Sequence, residues 1–321
     1  MHEIKYLRKT RRDSSNYSDF CLRVLRIMCV TSTDVEFRVF LAELQSPLRM
    51  LRRNYVAGNA GAHLYTSAST LAYLVAYTPQ YIYQSRDFFR KTVYQNDSSK
   101  NFRRFTMVGC GPGTEIIGLV DFLEFKFPEQ KFNLELLLLD SHHSEWSEVR
   151  KTLLQTGLSQ IPNVRATIES VDFDFDVENS LLDLVHFENS EVVTLFNVLN
   201  ESKNMTNLKK NICSIWDALP VGAIFASLEQ GKNIGNSVGI IPQANKKAKE
   251  IYAHLRRHVG LPNEQIPGIH LIFPEVLPTL LTETLLDGSD GCIPRKRIGY
   301  VYLVLQKTQD SVVELQSRSD F

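Results

Sequence analysis

Three observations predict an α/β fold: a doubly wound, mostly parallel sheet that ends in an antiparallel strand pair and follows a helical N-terminal extension. From about residue 101 onward, short apolar strands alternate with stretches of helical periodicity, the pattern of a parallel sheet covered on both faces. The run NLELLLLD ending at Asp140 is nearly continuous in its apolar residues, as a strand buried on both faces requires. The last two strand-like runs, TLLTETLLDG and RIGYVYLVLQK, are separated only by SDGCIPRK, too short for a helical crossover, so they are expected to pair antiparallel.

In chain order, residues 1–18 read as a disordered basic tail and 19–100 as a helical lid or substrate region. VEFRVFLAELQSPLRMLRR has helical spacing, with Pro47 marking a break or a new start. NYVAGNAGAHLYTSAS reads as a loop. STLAYLVAYTPQYIYQSRDFFRKTVY reads as two helices interrupted before Pro79. The polar stretch QNDSSKN at 95–101 sets the boundary of the domain proper, 101–308, and residues 309–321 form a loose tail. Within that domain RRFTMVGC is a first strand and TEIIGLVDFLEFKF a helix. After NLELLLLD, the helix SEWSEVRKTLLQTG is expected to be capped by Ser144 and stopped near Gly157. VRATIESVDF, VVTLFNVLNE and GAIFASLEQ are the next strands. LKKNICSIWDAL and NKKAKEIYAHLRRHVG are the next helices.

Composition narrows the function classes. Lys plus Arg equals Asp plus Glu at 36 each, so no excess of positive charge drives non-specific nucleic-acid binding. Five cysteines with no CxxC pair suggest neither a disulfide framework nor a zinc knuckle. Reduced thiols fit an intracellular chain, cytoplasmic first, with mitochondrion or nucleus as alternatives. No apolar run approaches the roughly 20 residues of a membrane span.

The chemistry concentrates at FTMVGCGPGTEIIGL, residues 105–119. Gly109, Gly111 and Gly113 lie between the first strand and its helix, where glycine allows positive φ and close approach of a ligand. The free N–H groups opening the helix face the same ligand. The spacing is G-x-G-x-G, with Pro112 before the last glycine, and not the G-x-G-x-x-G of dinucleotide folds. Asp140 ends the second strand, where a carboxylate can accept from both hydroxyls of a ribose.

The order GCGPG, LLLLD, VDFDFD and TLFNVLNE, with a closing antiparallel pair, resembles the class I S-adenosylmethionine-dependent methyltransferases over about Arg104 to Lys307. The resemblance implies S-adenosylmethionine as cofactor. It implies that the methionine part lies over Gly109, Cys110, Gly111 and Gly113, and that Asp140, beside Ser141, holds the ribose. It further implies that Asp172 or Phe173 flanks the adenine, and that the end of the fourth strand, Asn197 to Glu201, faces the methyl group and its acceptor. Asn197, Asn200 and Glu201 are then the candidate catalytic residues. No metal is implied.

Other residues carry two readings each. Asp172, Asp174 and Asp176 alternate, as a metal site or, more simply, a solvated loop. His142 and His143 are ligand-edge residues or an exposed turn. Tyr73, Tyr77, Tyr81 and Phe88 recur near helical spacing, as packing onto the sheet or as the lining of a substrate pocket. Tyr65 closes over a ligand or packs between helices. Two functions stay open: methyl transfer to a small molecule or an RNA, and a methyltransferase-like binding or assembly module without catalysis.

Overall fold

The computed structural model describes residues 16–29, 33–56, 65–94, 101–177, 185–231, 245–264, 266–272, 277–284, 297–309 and 311–315. Five helices come first: α1 (Tyr17–Cys29), α2 (Asp34–Glu43), α3 (Gln45–Val56), α4 (Ser67–Ala76) and α5 (Thr78–Lys91). Then β1 (Arg104–Val108), α6 (Thr114–Lys126), β2 (Phe132–Asp140), α7 (His143–Leu158), β3 (Val164–Asp172) and β4 (Val192–Phe196) follow. The chain continues through α8 (Met205–Ala218), β5 (Ile224–Gln230), α9 (Lys246–His258), β6 (Gly268–Ile272), α10 (Thr279–Thr284), β7 (Arg297–Lys307) and β8 (Val312–Glu314).

The strands form one sheet in the order β3-β2-β1-β4-β5-β7-β6, with β8 pairing β7. β1 to β5 are mutually parallel, whereas β7 runs antiparallel to β5, β6 and β8. The order reverses between β1 and β4, so the loops after these two strands diverge and leave a crevice at their carboxyl ends.

The helices sort by strand alternation. On one face Phe105, Met107, Leu136, Leu138 and Phe196 pack in one core with α1 to α7. On the other, Val108, Leu139, Val193 and Leu195 meet Ile212 and Trp216 of α8 and Tyr252 and Leu255 of α9. The N-terminal helices are therefore continuous with the sheet's core. α5 crosses α6 at Gly118, where an added Cβ would lie 2.8 Å from Arg86 N and 2.8 Å from Ile82 O. Polar pins fix the same layer. The Tyr17 hydroxyl donates to Asp121 at 2.5 Å, Arg86 pairs with Asp121 at 3.1 Å, and the Tyr300 hydroxyl donates to Asp87 at 3.1 Å.

Several expectations need correction. TLLTET is a helix, α10, and the partner of β7 is GIHLI. Leu280 and Leu281 are adjacent, not alternating, and the hydroxyls of Thr282 and Thr284 donate to Thr279 O and Leu280 O in the helical manner. Residues 285–296, including the expected turn SDGCIPRK, lie outside the described residues, as does most of the 95–101 boundary. The N-terminal tail ends earlier than residue 18, because Tyr17 opens α1 and is buried. The tail after 309 contains β8, whose Val312 and Val313 pair with Lys307 and Gln306. Helix α7 begins at His143, inside which Ser144 donates to Glu145 and caps nothing. Gly157 lies inside α7 and does not stop it; an added Cβ there would meet Ile117 Cδ1 at 2.4 Å, so that side chain would have to shift. The fourth strand stops at Phe196, five residues before the expected end.

Gly118→Ala tests the α5–α6 crossing. Alanine improves helix propensity by about 1 kcal/mol, but the clash is with backbone atoms, which cannot rotate away, and overpacking costs about 1–3 kcal/mol. The net expectation is a lower urea midpoint; a raised midpoint would show that the helices separate freely.

Candidate functional site

The glycine turn is built by three successive demands on the backbone. Gly109, Gly111 and Gly113 have φ of 65°, 49° and 86°, a region that side chains with a Cβ avoid. A Cβ on Gly109 would sit 2.2 Å from Val198 Cγ2, so the ends of β1 and β4 touch across the crevice. Gly113 caps α6 from the left-handed region. The turn is held from beneath. Gly109 N donates to Leu139 O at 2.6 Å, and Asp140 accepts Gly111 N at 2.7 Å on one oxygen and His142 N at 2.8 Å on the other. Arg150 of α7 donates through Nε to Gly111 O at 2.8 Å.

The end of β4 forms the facing wall. Asn197 is the only non-glycine with positive φ among the described residues, at 60°, a sparsely populated conformation for a residue with a side chain. Its Nδ2 donates to Gln84 Oε1 at 3.3 Å, and its Oδ1 has no partner among the described residues. Asn200 is used up structurally. It donates to Glu229 Oε2 at 2.6 Å, accepts from Asn245, and its carbonyl takes Lys247 Nζ at 3.1 Å. Glu229 also accepts Leu199 N at 2.7 Å. Asp176 accepts Ser202 Oγ, with Lys203 N at 2.8 Å and Asn204 N at 3.1 Å. Burial opposes ionisation there, but these donors prevail and hold Asp176 below the usual carboxylate range.

Between these walls lies a cavity of about 940 Å3. Of the residues singled out by sequence, Gly109, Cys110, Gly111, Asp140, Ser141, Phe173, Asn197, Asn200 and Glu201 line it. Gly113 stands behind the turn. Asp172 is exposed at the end of β3, in register with Asp140, and does not reach the cavity; Asp174 does. Phe173 and Asp174 lie past the end of β3, where the chain leaves the sheet and borders the cavity. His142 lines the cavity, whereas His143 meets Arg150 Nη1 at 2.9 Å. Among the described residues no group of His, Cys, Asp and Glu could hold a metal ion.

Sequence reading missed Glu115, Trp146, Arg52 and Lys246, all on the cavity wall. Glu115 had one visible signal, its place two residues after the last glycine, but a first-turn acid is ordinary. Trp146 had none. Glu115 is buried and accepts the Thr194 hydroxyl at 2.8 Å. Burial, opposed by that hydrogen bond and reinforced by Asp140, pushes its carboxyl up to about 8. Burial likewise pushes Glu229 up to about 8 and the Cys110 thiol well above its usual value. At neutral pH Glu115 is thus mostly a neutral acid, and Cys110 is no nucleophile.

An aromatic wall completes the cavity. Tyr65 lies 4.7 Å from Trp146 and 5.0 Å from His142, ring centre to ring centre. Tyr73 is 5.1 Å from Trp146 and 5.0 Å from Tyr77, and Tyr77 is 6.3 Å from Tyr81 at 20°. Phe88 takes the packing role alone, fully buried 4.9 Å from Phe196.

The strand order with antiparallel β7 is that of the class I methyltransferase fold. No protein family and no curated protein matches the chain. Among solved structures, a mitomycin 7-O-methyltransferase is 13% identical with a TM-score of 0.41, covering 75% of this chain and 57% of that one. The chain thus spans little more than half the length of that protein. An S-adenosylmethionine-dependent methyltransferase from Clostridium acetobutylicum is 11% identical, TM-score 0.36, over 70% of this chain and 92% of that one. A plantazolicin methyltransferase in complex with SAH is 12% identical, TM-score 0.40, over 84% and 99%. The fold class rests on the strand order.

The Glu115 carboxyl sets a pH dependence. Its folded value lies above the unfolded 4.5, so the folded state binds more protons between about 4.5 and about 8. Stability is fully present below that window and falls as pH rises through it. In Glu115→Gln the fall in urea midpoint from pH 5 to pH 8.5 should be smaller than in the parent; an unchanged fall would contradict the buried neutral acid.

Proposed function

We propose that the chain is an S-adenosylmethionine-dependent methyltransferase. One observation carries the reading: a turn of three positive-φ glycines, clamped by Asp140, floors a large cavity at the point where the strand order reverses. In open α/β sheets that crevice is where ligands bind. The residues present fit the cofactor. Gly109 admits Val198, and both Gly109 and Gly111 present backbone to the cavity. Each Asp140 oxygen accepts one backbone N–H, and a carboxylate has about four lone-pair sites, so acceptors remain for ribose hydroxyls. Phe173 and Asp174 stand at the β3 end to flank the base, and Cys110 and Ser141 lie along the floor.

When bound, the cofactor supplies a methyl group already activated on a sulfonium. The protein's part is placement. Asn197, held in its rare conformation by its N–H to Leu228 O at 2.7 Å, offers an unsatisfied carbonyl oxygen at the transfer end. Glu201 on the same wall is the candidate proton acceptor should the methylated atom have to lose a proton. Glu115, neutral at pH 7, is not suited to that role.

Calorimetric titration with S-adenosylmethionine and S-adenosylhomocysteine tests the reading. Micromolar binding is expected, weakened at least about tenfold, or about 1.4 kcal/mol, in Asp140→Asn. Thermal unfolding of the ligand-free variant separates loss of ribose contacts from loss of the turn. Absence of binding by both ligands would sink the enzyme reading and favour a non-catalytic binding module.

A further inference from the structure

We propose that the methyl acceptor is a planar aromatic small molecule held face-on against the tyrosine wall of α4 and α5. The inference rests on the methyltransferase reading for the presence of a donor, but the wall exists independently of it.

Tyr73, Tyr77 and Tyr81 are spaced by four residues and form one stripe running from α4 into α5. A stripe meant only for packing would be buried throughout, as Phe88 and Phe89 are further along α5. Instead Tyr73, Tyr77 and Tyr81 are half-buried and line the cavity together with Ser85, while their neighbours Ala72, Leu74 and Ile82 are fully buried and do not. Tyr77 and Tyr81 are nearly parallel at 20°, and Tyr73 is tilted by 32° from Tyr77 and 42° from Tyr81. The three rings lie within 6.3 Å of one another, centre to centre, and all line the cavity. Offset stacking on such a face favours a flat aromatic partner beyond what area burial alone provides.

The wall's position fits an acceptor and not the donor's own base. At one end Tyr73 meets Trp146, which lies 3.8 Å from where a Cβ on Gly111 would stand. At the other, the turn after Tyr81 carries Gln84, which takes the Asn197 amide. The stripe therefore runs opposite the glycine turn toward the β4 end, whereas the base-flanking residues Phe173 and Asp174 follow β3. A nucleobase in an RNA strand would also stack, but tracking a phosphate backbone calls for a cationic excess, and the chain balances 36 basic against 36 acidic residues.

The test is calorimetry on the full chain with S-adenosylhomocysteine present. The probes are naphthalen-2-ol and biphenyl-4-ol, their fully saturated counterparts decahydronaphthalen-2-ol and 4-cyclohexylcyclohexanol, and a single-stranded oligouridine. At least one aromatic alcohol should bind about tenfold tighter than its saturated counterpart. Tyr77→Leu and Tyr81→Leu should each cut that affinity about threefold or more, Tyr77→Phe should retain it, and S-adenosylhomocysteine affinity should not change. No aromatic preference, including no binding of any alcohol, overturns the proposal. So does a preference for the oligouridine, or a loss of S-adenosylhomocysteine binding in the leucine variants, which would assign the wall to the donor. If the aromatic preference holds while S-adenosylhomocysteine does not bind, the wall stands and the methyltransferase reading fails alone.

Discussion

The Asp140 carboxylate is the constraint on which the crevice depends. It ends β2 and reaches sideways to the turn after β1, accepting Gly111 N at 2.7 Å while its other oxygen accepts His142 N at 2.8 Å. One side chain thereby fixes the glycine turn and the first turn after β2 together. Arg150 closes the circuit by donating to the Gly111 carbonyl, so both polar groups of that residue are engaged from below. The turn cannot relax into a conformation open to residues with a Cβ, and its backbone borders the cavity.

The second wall depends on the first. Gly109 can approach Val198 only because it has no Cβ, and Val198 follows the strained Asn197. The buried Glu229 then anchors the chain beyond by accepting Leu199 N and the Asn200 amide. A fully buried acid costs stability unless it is satisfied or neutral, and here two donors and a raised proton affinity both apply. The third wall comes from helices that precede the sheet in sequence yet share its core. The pins from Tyr17 and Tyr300 to acids on α6 and α5 fix the register in which the tyrosine stripe faces the glycines.

Legibility in the sequence followed how local the physics is. The glycine spacing, the abrupt end of NLELLLLD at Asp140 and the β-α alternation are local signals, and each lies where it was expected. The end of β3 shows the limit. Asp172 and Phe173 differ by one residue, yet one is exposed at the last position of the strand and the other is buried just past it, which no local signal decides. TLLTET misled because threonine favours strands on average, while the structure satisfies its hydroxyls on helical carbonyls and ties Gln45 to Thr284 O. Asn200 was suspected of chemistry for being an asparagine at a strand end; only three-dimensional contacts reveal its amide is committed to Glu229 and Asn245. Trp146 reaches the glycine turn across α7, a long-range contact with no signature in its own neighbourhood.

Hydrogen exchange of the intact chain, with and without S-adenosylhomocysteine, tests the central claim most directly, that the glycine turn and the β4 end together form the donor site. The account predicts slowed exchange at Gly109 to Thr114 and at Asn197 to Glu201, with the exposed end of α9 unchanged. Protection confined to other segments, or spread evenly over the chain, would contradict it.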